Sequence, residues 1–180
     1  MHTLTAARVG RLLRVVCFVL PGFLLPVGAL AQDSGSPSAR TPAPDFVLLD
    51  AKGAEVQLSH LKGQVVLLDF WATWCTGCKQ EIPYFIEYDS KYRTQGLTSV
   101  GVAMDDEGWK TVKPYLAEHP IGYRIVAADG VIAKQYSITN LPVTLLIDRQ
   151  GRIAEKHLGV VSREAWEQRI QELLREPAGK

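Results

Sequence analysis

The sequence predicts one α/β domain, a central mixed sheet flanked by helices. Three observations carry that reading. Val65-Val66-Leu67-Leu68 is an apolar run too short for a helix, as expected of a central parallel strand covered on both faces. From Lys79 onward the spacing turns helical, with Glu81, Ile82, Phe85 and Ile86, so a strand runs into a helix. At the far end, Leu145 to Asp148 and Arg152 to Leu158, joined by Arg149-Gln150-Gly151, read as a closing antiparallel hairpin.

Taken in order, the chain opens with Arg8, Arg11 and Arg14 before an apolar stretch from Val15 to Val27, followed by the small-x-small site Ala29-Leu30-Ala31. Those parts predict a secretory signal peptide over residues 1–31. Its core is shorter than the about 20 residues a bilayer span needs and is interrupted by Pro21 and Pro26, which favours cleavage over an anchor. Cys17 opens that core behind bulky Val16 and does not suit lipid attachment. A periplasmic or otherwise extracytoplasmic, oxidising destination is therefore expected. Residues 32–44 are dominated by Ser, Pro, Gly and Ala and predict a flexible linker, with the folded domain over 45–176.

Within the domain, Phe46 to Leu49 and Val56 to Leu58 flank Ala51-Lys52-Gly53-Ala54 as a β-hairpin, and Ser59 to Gly63 turn into the central strand. The following helix should run to about Tyr92 with a kink at Pro83, and Gln95-Gly96 ends it. Leu97 to Met104 is the next strand. Asp105 to Gly108 form a turn before a helix near Trp109 to Glu118, which Pro114 kinks or shortens. Tyr123 to Val126 is a short strand and Gly130 to Tyr136 a short helix. Ser162 caps a last helix whose Trp166, Ile170, Leu173 and Leu174 share an apolar face.

Composition is that of an ordinary globular chain: 180 residues, 47% hydrophobic and 22% charged. The first 31 residues hold three arginines and no acid, leaving 17 basic against 19 acidic residues, a formal charge of −2, for the rest. That balance gives no reason to expect nucleic acid as a partner. Of three cysteines, only Cys75 and Cys78 lie beyond the leader.

Those two are separated by Thr76-Gly77 at a strand end where a helix begins. Helix-start N–H groups and the helix dipole stabilise an anion there, so Cys75 should ionise more readily and be the exposed, attacking thiol, with Cys78 shielded. A structural disulfide is the weaker reading, because a loop of two intervening residues constrains the unfolded chain little. A zinc site would need two more ligands, and His60, His119 and His157 show no paired spacing, so no metal or other cofactor is expected. Asp69 is a carboxylate inside an apolar run, where an unpaired charge is costly and a proton tends to be kept. Its alternative is a solvated strand-end aspartate. Glu81 lies three residues after Cys78 on the same helix face, and a hydrated face is an equal alternative.

The run Asp69-Phe70-Trp71-Ala72-x-Trp74-Cys75-x-x-Cys78-Lys79 resembles the thioredoxin active-site segment, and Leu141-Pro142-Val143-Thr144 resembles the loop carrying that fold's cis-proline. With Glu81 and the leader, the nearer likeness is to the TlpA/ResA branch of extracytoplasmic thiol–disulfide oxidoreductases, from about Pro44 to the last helix. The resemblance implies a thioredoxin-like fold with the N-terminal β-hairpin and the βα segment inserted between the dithiol and Pro142. It implies that Asp69 serves as base for the resolving thiol, that Glu81 modulates the thiol pKa values, and that Pro142 is cis against the dithiol. From the residues alone Pro142 could equally be trans. Trp74, Thr76, Gly77 and the Leu141 backbone would meet the substrate, while Trp71, Trp109 and Trp166 serve packing.

Thr76-Gly77 differs from the dipeptides of thioredoxin, ResA and DsbA, and Val143-Thr144 lacks the acid of cytochrome c maturation reductases, so direction and substrate stay open at this point. The first reading is a monomeric reductase of protein disulfides, restored by a membrane thiol carrier. The alternatives are an oxidase donating its disulfide and a copper(I) chaperone using the same soft thiolates. A peroxidase is weaker, since no cysteine stands in a Pro-x-x-x-Thr/Ser-x-x-Cys setting.

Overall fold

The computed structural model describes residues 39–178, so the leader and most of the linker lie outside it. The buried run extends beyond Leu68: β3 is Val65–Trp71 and is buried at every position, which places Asp69 in a strand interior. Around it the chain forms β1 (Val47–Leu49), β2 (Glu55–Gln57), α1 (Thr76–Tyr92), β4 (Leu97–Ala103), α2 (Trp109–Glu118) and β5 (Arg124–Ala127). It ends with α3 (Ile132–Gln135), β6 (Val143–Ile147), β7 (Ile153–Leu158) and α4 (Arg163–Arg175).

Five strands make one mixed sheet in the order β5-β4-β3-β6-β7. β3 runs parallel to β4, with Asp69 opposite Gly101, and antiparallel to β6, with Asp69 opposite Thr144. Because side chains alternate along a strand, β3 serves two cores. Val65, Leu67 and Trp71 join Cys75, Cys78 and Phe85 with Ile170 and Leu173 of α4. Val66, Leu68 and Phe70 meet Phe46, Leu48 and Val56 from the N-terminal hairpin and Tyr136 beyond α3. The hairpin is closed by Asp50, whose Oδ1 accepts the N–H groups of Lys52 and Ala54, with Gly53 at φ 81°.

Both helix-interior prolines, Pro83 and Pro114, are exposed, and their helices continue past them. After α1, a 3-10 turn over Arg93–Gln95 leads to Gly96 in the left-handed region, φ 99°, where an L side chain is disfavoured. Ser162 caps α4 as expected, accepting from the Ala165 N–H.

One boundary differs from the composition-based expectation. Residues 40–44, read as the end of a linker, are held to the domain. Arg40 pairs with Asp148 and Glu176, Ala43 N–H donates to Gly151 C=O, and Ile153 N–H to Thr41 C=O. A small, polar composition missed this because one arginine side chain and the main chain of two residues make the attachment.

Candidate redox site

The dithiol sits where β3 ends and α1 begins. Cys75 is the N-cap of α1, and its Sγ accepts the Cys78 N–H at 3.1 Å, so this sulfur occupies the position where a cap acceptor serves a free helix N–H. The two cysteines form a disulfide. In this oxidised form both are buried, Cys75 at 4% and Cys78 at 1% exposure, whereas the expectation of an exposed Cys75 concerns the reduced thiol. The sulfur turns inward over the helix start, and the preceding Trp74, 67% exposed, takes the outward position.

The loop before the dithiol is pinned by Asp105, just after β4. Its buried carboxylate accepts from the Thr73 N–H at 3.1 Å and from the Thr73 hydroxyl at 2.5 Å. On the other side, the Leu141–Pro142 peptide bond is cis. A Cβ at Gly77 would lie 3.2 Å from both Pro142 Cδ and Val160 Cγ2, so the absent side chain lets the turn between the cysteines close onto these two residues. Gly159 N–H donates to Pro142 C=O at 2.9 Å, and Val161 N–H to Glu81 at 2.6 Å. Gly159 to Val161 thus strap the Pro142 loop to α1. No described residue pairs with the Leu141 backbone, which leaves an N–H and a C=O free beside the dithiol. A cavity of about 350 Å³ lined by Trp74, Met104, Ile138, Thr139, Asn140 and Leu141 adjoins it, and Thr76 is exposed.

Two carboxyls lie beneath. Asp69 is 1% exposed; its Oδ2 accepts the Tyr123 hydroxyl at 3.3 Å and its Oδ1 has no protein partner among the described residues. Burial, and then the neighbouring Glu81 charge, push its pKa well above the ordinary value, against the Tyr123 hydrogen bond. Glu81 is fully buried, which removes the hydrated-face alternative. Burial lifts its carboxyl to about 7, opposed by the Val161 N–H on Oε1, while Oε2 has no partner. Trp71 Nε1 and Thr144 Oγ1 are likewise buried without partners. Together with the two carboxyls they place polar atoms within the apolar core beneath the reactive pair. Among the described residues no three His, Cys, Asp or Glu side chains cluster to hold a metal ion.

A family model described as AhpC/TSA matches residues 39–156. The chain belongs to the AhpC/TSA family. Within this thioredoxin-like family it is similar to the thiol-disulfide oxidoreductase ResA of Bacillus cereus, 34% identical over 164 residues that cover 90% of this chain and 92% of the relative. The ResA of Bacillus subtilis is 31% identical over 156 residues, covering 86% and 85%. A solved thiol:disulfide interchange protein of the thioredoxin family from Chlorobium tepidum superposes with a TM-score of 0.68 at 28% identity, over 75% of this chain and 97% of that one. Dithiol, fold and relatives agree on a thiol–disulfide oxidoreductase.

Of the residues singled out in the sequence, Trp74, Thr76, Gly77, Leu141 and Pro142 surround the cysteines, with Glu81 and Asp69 below. Sequence reasoning missed Asp105, the Gly159–Val161 strap and Tyr123. Asp105 carried a readable signal, an acid at the end of the strand beside β3. The strap and Tyr123 carried none, since ordinary apolar and turn residues fill them.

Proposed function

We propose that the chain is an extracytoplasmic reductase of protein disulfides, exported by a leader over residues 1–31 that is cut after Ala31. The Cys75 thiolate attacks a substrate disulfide, forming a mixed disulfide and releasing the first substrate thiolate. Cys78 gives its proton to Asp69, and its sulfur attacks Cys75. The second substrate thiolate leaves, and the Cys75–Cys78 bond forms as two electrons pass to the substrate. A membrane-bound dithiol carrier returns them. The free Leu141 backbone and the Trp74 cavity suit an extended peptide around the target cysteine.

The observation that carries the direction is Glu81, fully buried one turn past Cys78 with its carboxyl near 7. An oxidant is strong because its thiolate form is stabilised, and a buried carboxylate on the same helix face does the opposite. Cys75 does not stand in a peroxidase setting: Leu68 and Ala72 fill the places of the proline and the hydroxyl residue. Equilibration of the purified protein with glutathione buffers tests the reading. A potential near thioredoxin's, about −270 mV, is expected, and one near DsbA's, about −120 mV, would make the protein an oxidase.

A further inference from the structure

Tyr123 takes no part in the exchange as written, yet it alone hydrogen-bonds the buried Asp69 among the described residues. It begins the approach to β5 and is itself buried, at 6% exposure. Its ring lies across β4, and only a residue without a side chain allows that. A Cβ at Gly101 would stand 2.7 Å from Ile125 Cδ1, 3.0 Å from Trp71 Nε1 and 3.1 Å from Tyr123 Cε2. Gly101 is also the register partner of Asp69, so the missing Cβ lies beside the carboxylate. Tyr123 further lines an open cavity of about 590 Å³ at the β4–β5 edge, with Arg93, Arg124 and Ile121.

We propose that Tyr123 is a positioning residue for disulfide exchange: its hydroxyl orients the Asp69 carboxyl and favours the ionised form that takes the Cys78 proton. The inference rests on the reading of Asp69 as that base. Around Asp69 stand Glu81 from α1, with the dithiol at the same helix's start, Gly101 from β4 and Thr144 from β6, whose hydroxyl makes no described bond. Burial and the Glu81 charge favour the protonated acid, and Tyr123 is the group that opposes them. Burial and the charges of Asp69, Glu81 and Asp89 in turn keep the proton on Tyr123, so it remains a donor through the neutral range. A hydrogen bond that favours the charged form lowers a carboxyl pKa, and its loss raises it.

The test loads Cys75 with thionitrobenzoate and follows its release by Cys78 between pH 5 and 9 in the wild type, Tyr123→Phe, Asp69→Asn and the double variant. In the wild type, release rises with pH along a limb that Asp69→Asn abolishes. Tyr123→Phe is expected to move that limb up by about one pH unit, a tenfold slower release below it, and to add nothing in the Asp69→Asn background. An unmoved limb, or equal slowing in both backgrounds, would reduce Tyr123 to packing and leave Asp69 as the base. Asp69→Asn without effect on release would overturn the base reading and the inference with it.

Discussion

The two faces of one strand do different work. Along β3, Val66, Leu68 and Phe70 face a core made only of apolar side chains and the Tyr136 ring, whereas Asp69 faces the side where Glu81, Tyr123 and Thr144 gather under the dithiol. Residues one apart therefore meet opposite demands. On the side of the dithiol two carboxyls are held away from water, and burial keeps each from its ordinary pKa. Local destabilisation is tolerated where the chemistry needs it.

Substitutions on the two faces should separate these roles. The largest effect belongs to Cys78→Ala, which removes the resolving thiol: turnover is lost, and Cys75 accumulates as a mixed disulfide with its substrate, visible on a non-reducing gel. Leu68→Ala, fully buried on the dry face, should cost about 3–4 kcal/mol of unfolding free energy in a urea titration while leaving exchange per folded molecule unchanged. Loss of exchange without loss of stability there would break the division between the faces.

Glu81→Gln probes the polar face through pH. The folded protein holds the Glu81 proton to about 7, whereas an unfolded glutamate releases it near its ordinary value of about 4.5. Between those values the folded state binds more protons, so stability falls as pH rises and then levels off. The wild type should lose roughly 3 kcal/mol between pH 5 and pH 8 relative to Glu81→Gln in denaturant titrations; parallel profiles would mean that the glutamate is not perturbed. The smallest effect is expected of Thr144→Val. Its buried hydroxyl has no partner among the described residues, so a same-shape apolar side chain should change stability by less than about 1 kcal/mol, and a larger loss would reveal a hidden bond.

Much of this division was legible in the chain. A short apolar run, the Cys-x-x-Cys at its end and the helical spacing beyond it located β3, the dithiol and α1. The carboxylate set within that run marked Asp69 as unusual. Glu81 was ambiguous, because Lys79-Gln80-Glu81 looks hydrated and the partner of the glutamate, the Val161 N–H, lies 80 residues on in the chain. The inward turn of the Cys75 sulfur in the disulfide follows from the cap bond to Cys78 and not from residue type. Tyr123 was invisible as a site residue. Its meeting with Asp69 depends on strand register and on Gly101, and neither signals itself locally.

Buried carboxyls under the dithiol should hold Cys75 back from ionising. Alkylation of the reduced protein by iodoacetamide as a function of pH, in the wild type and in Glu81→Gln, measures it directly. The expected result is a Cys75 pKa about one unit lower in Glu81→Gln, because a neutral amide no longer opposes the thiolate. Identical curves for the two proteins would mean that Glu81 does not act on the Cys75 thiol.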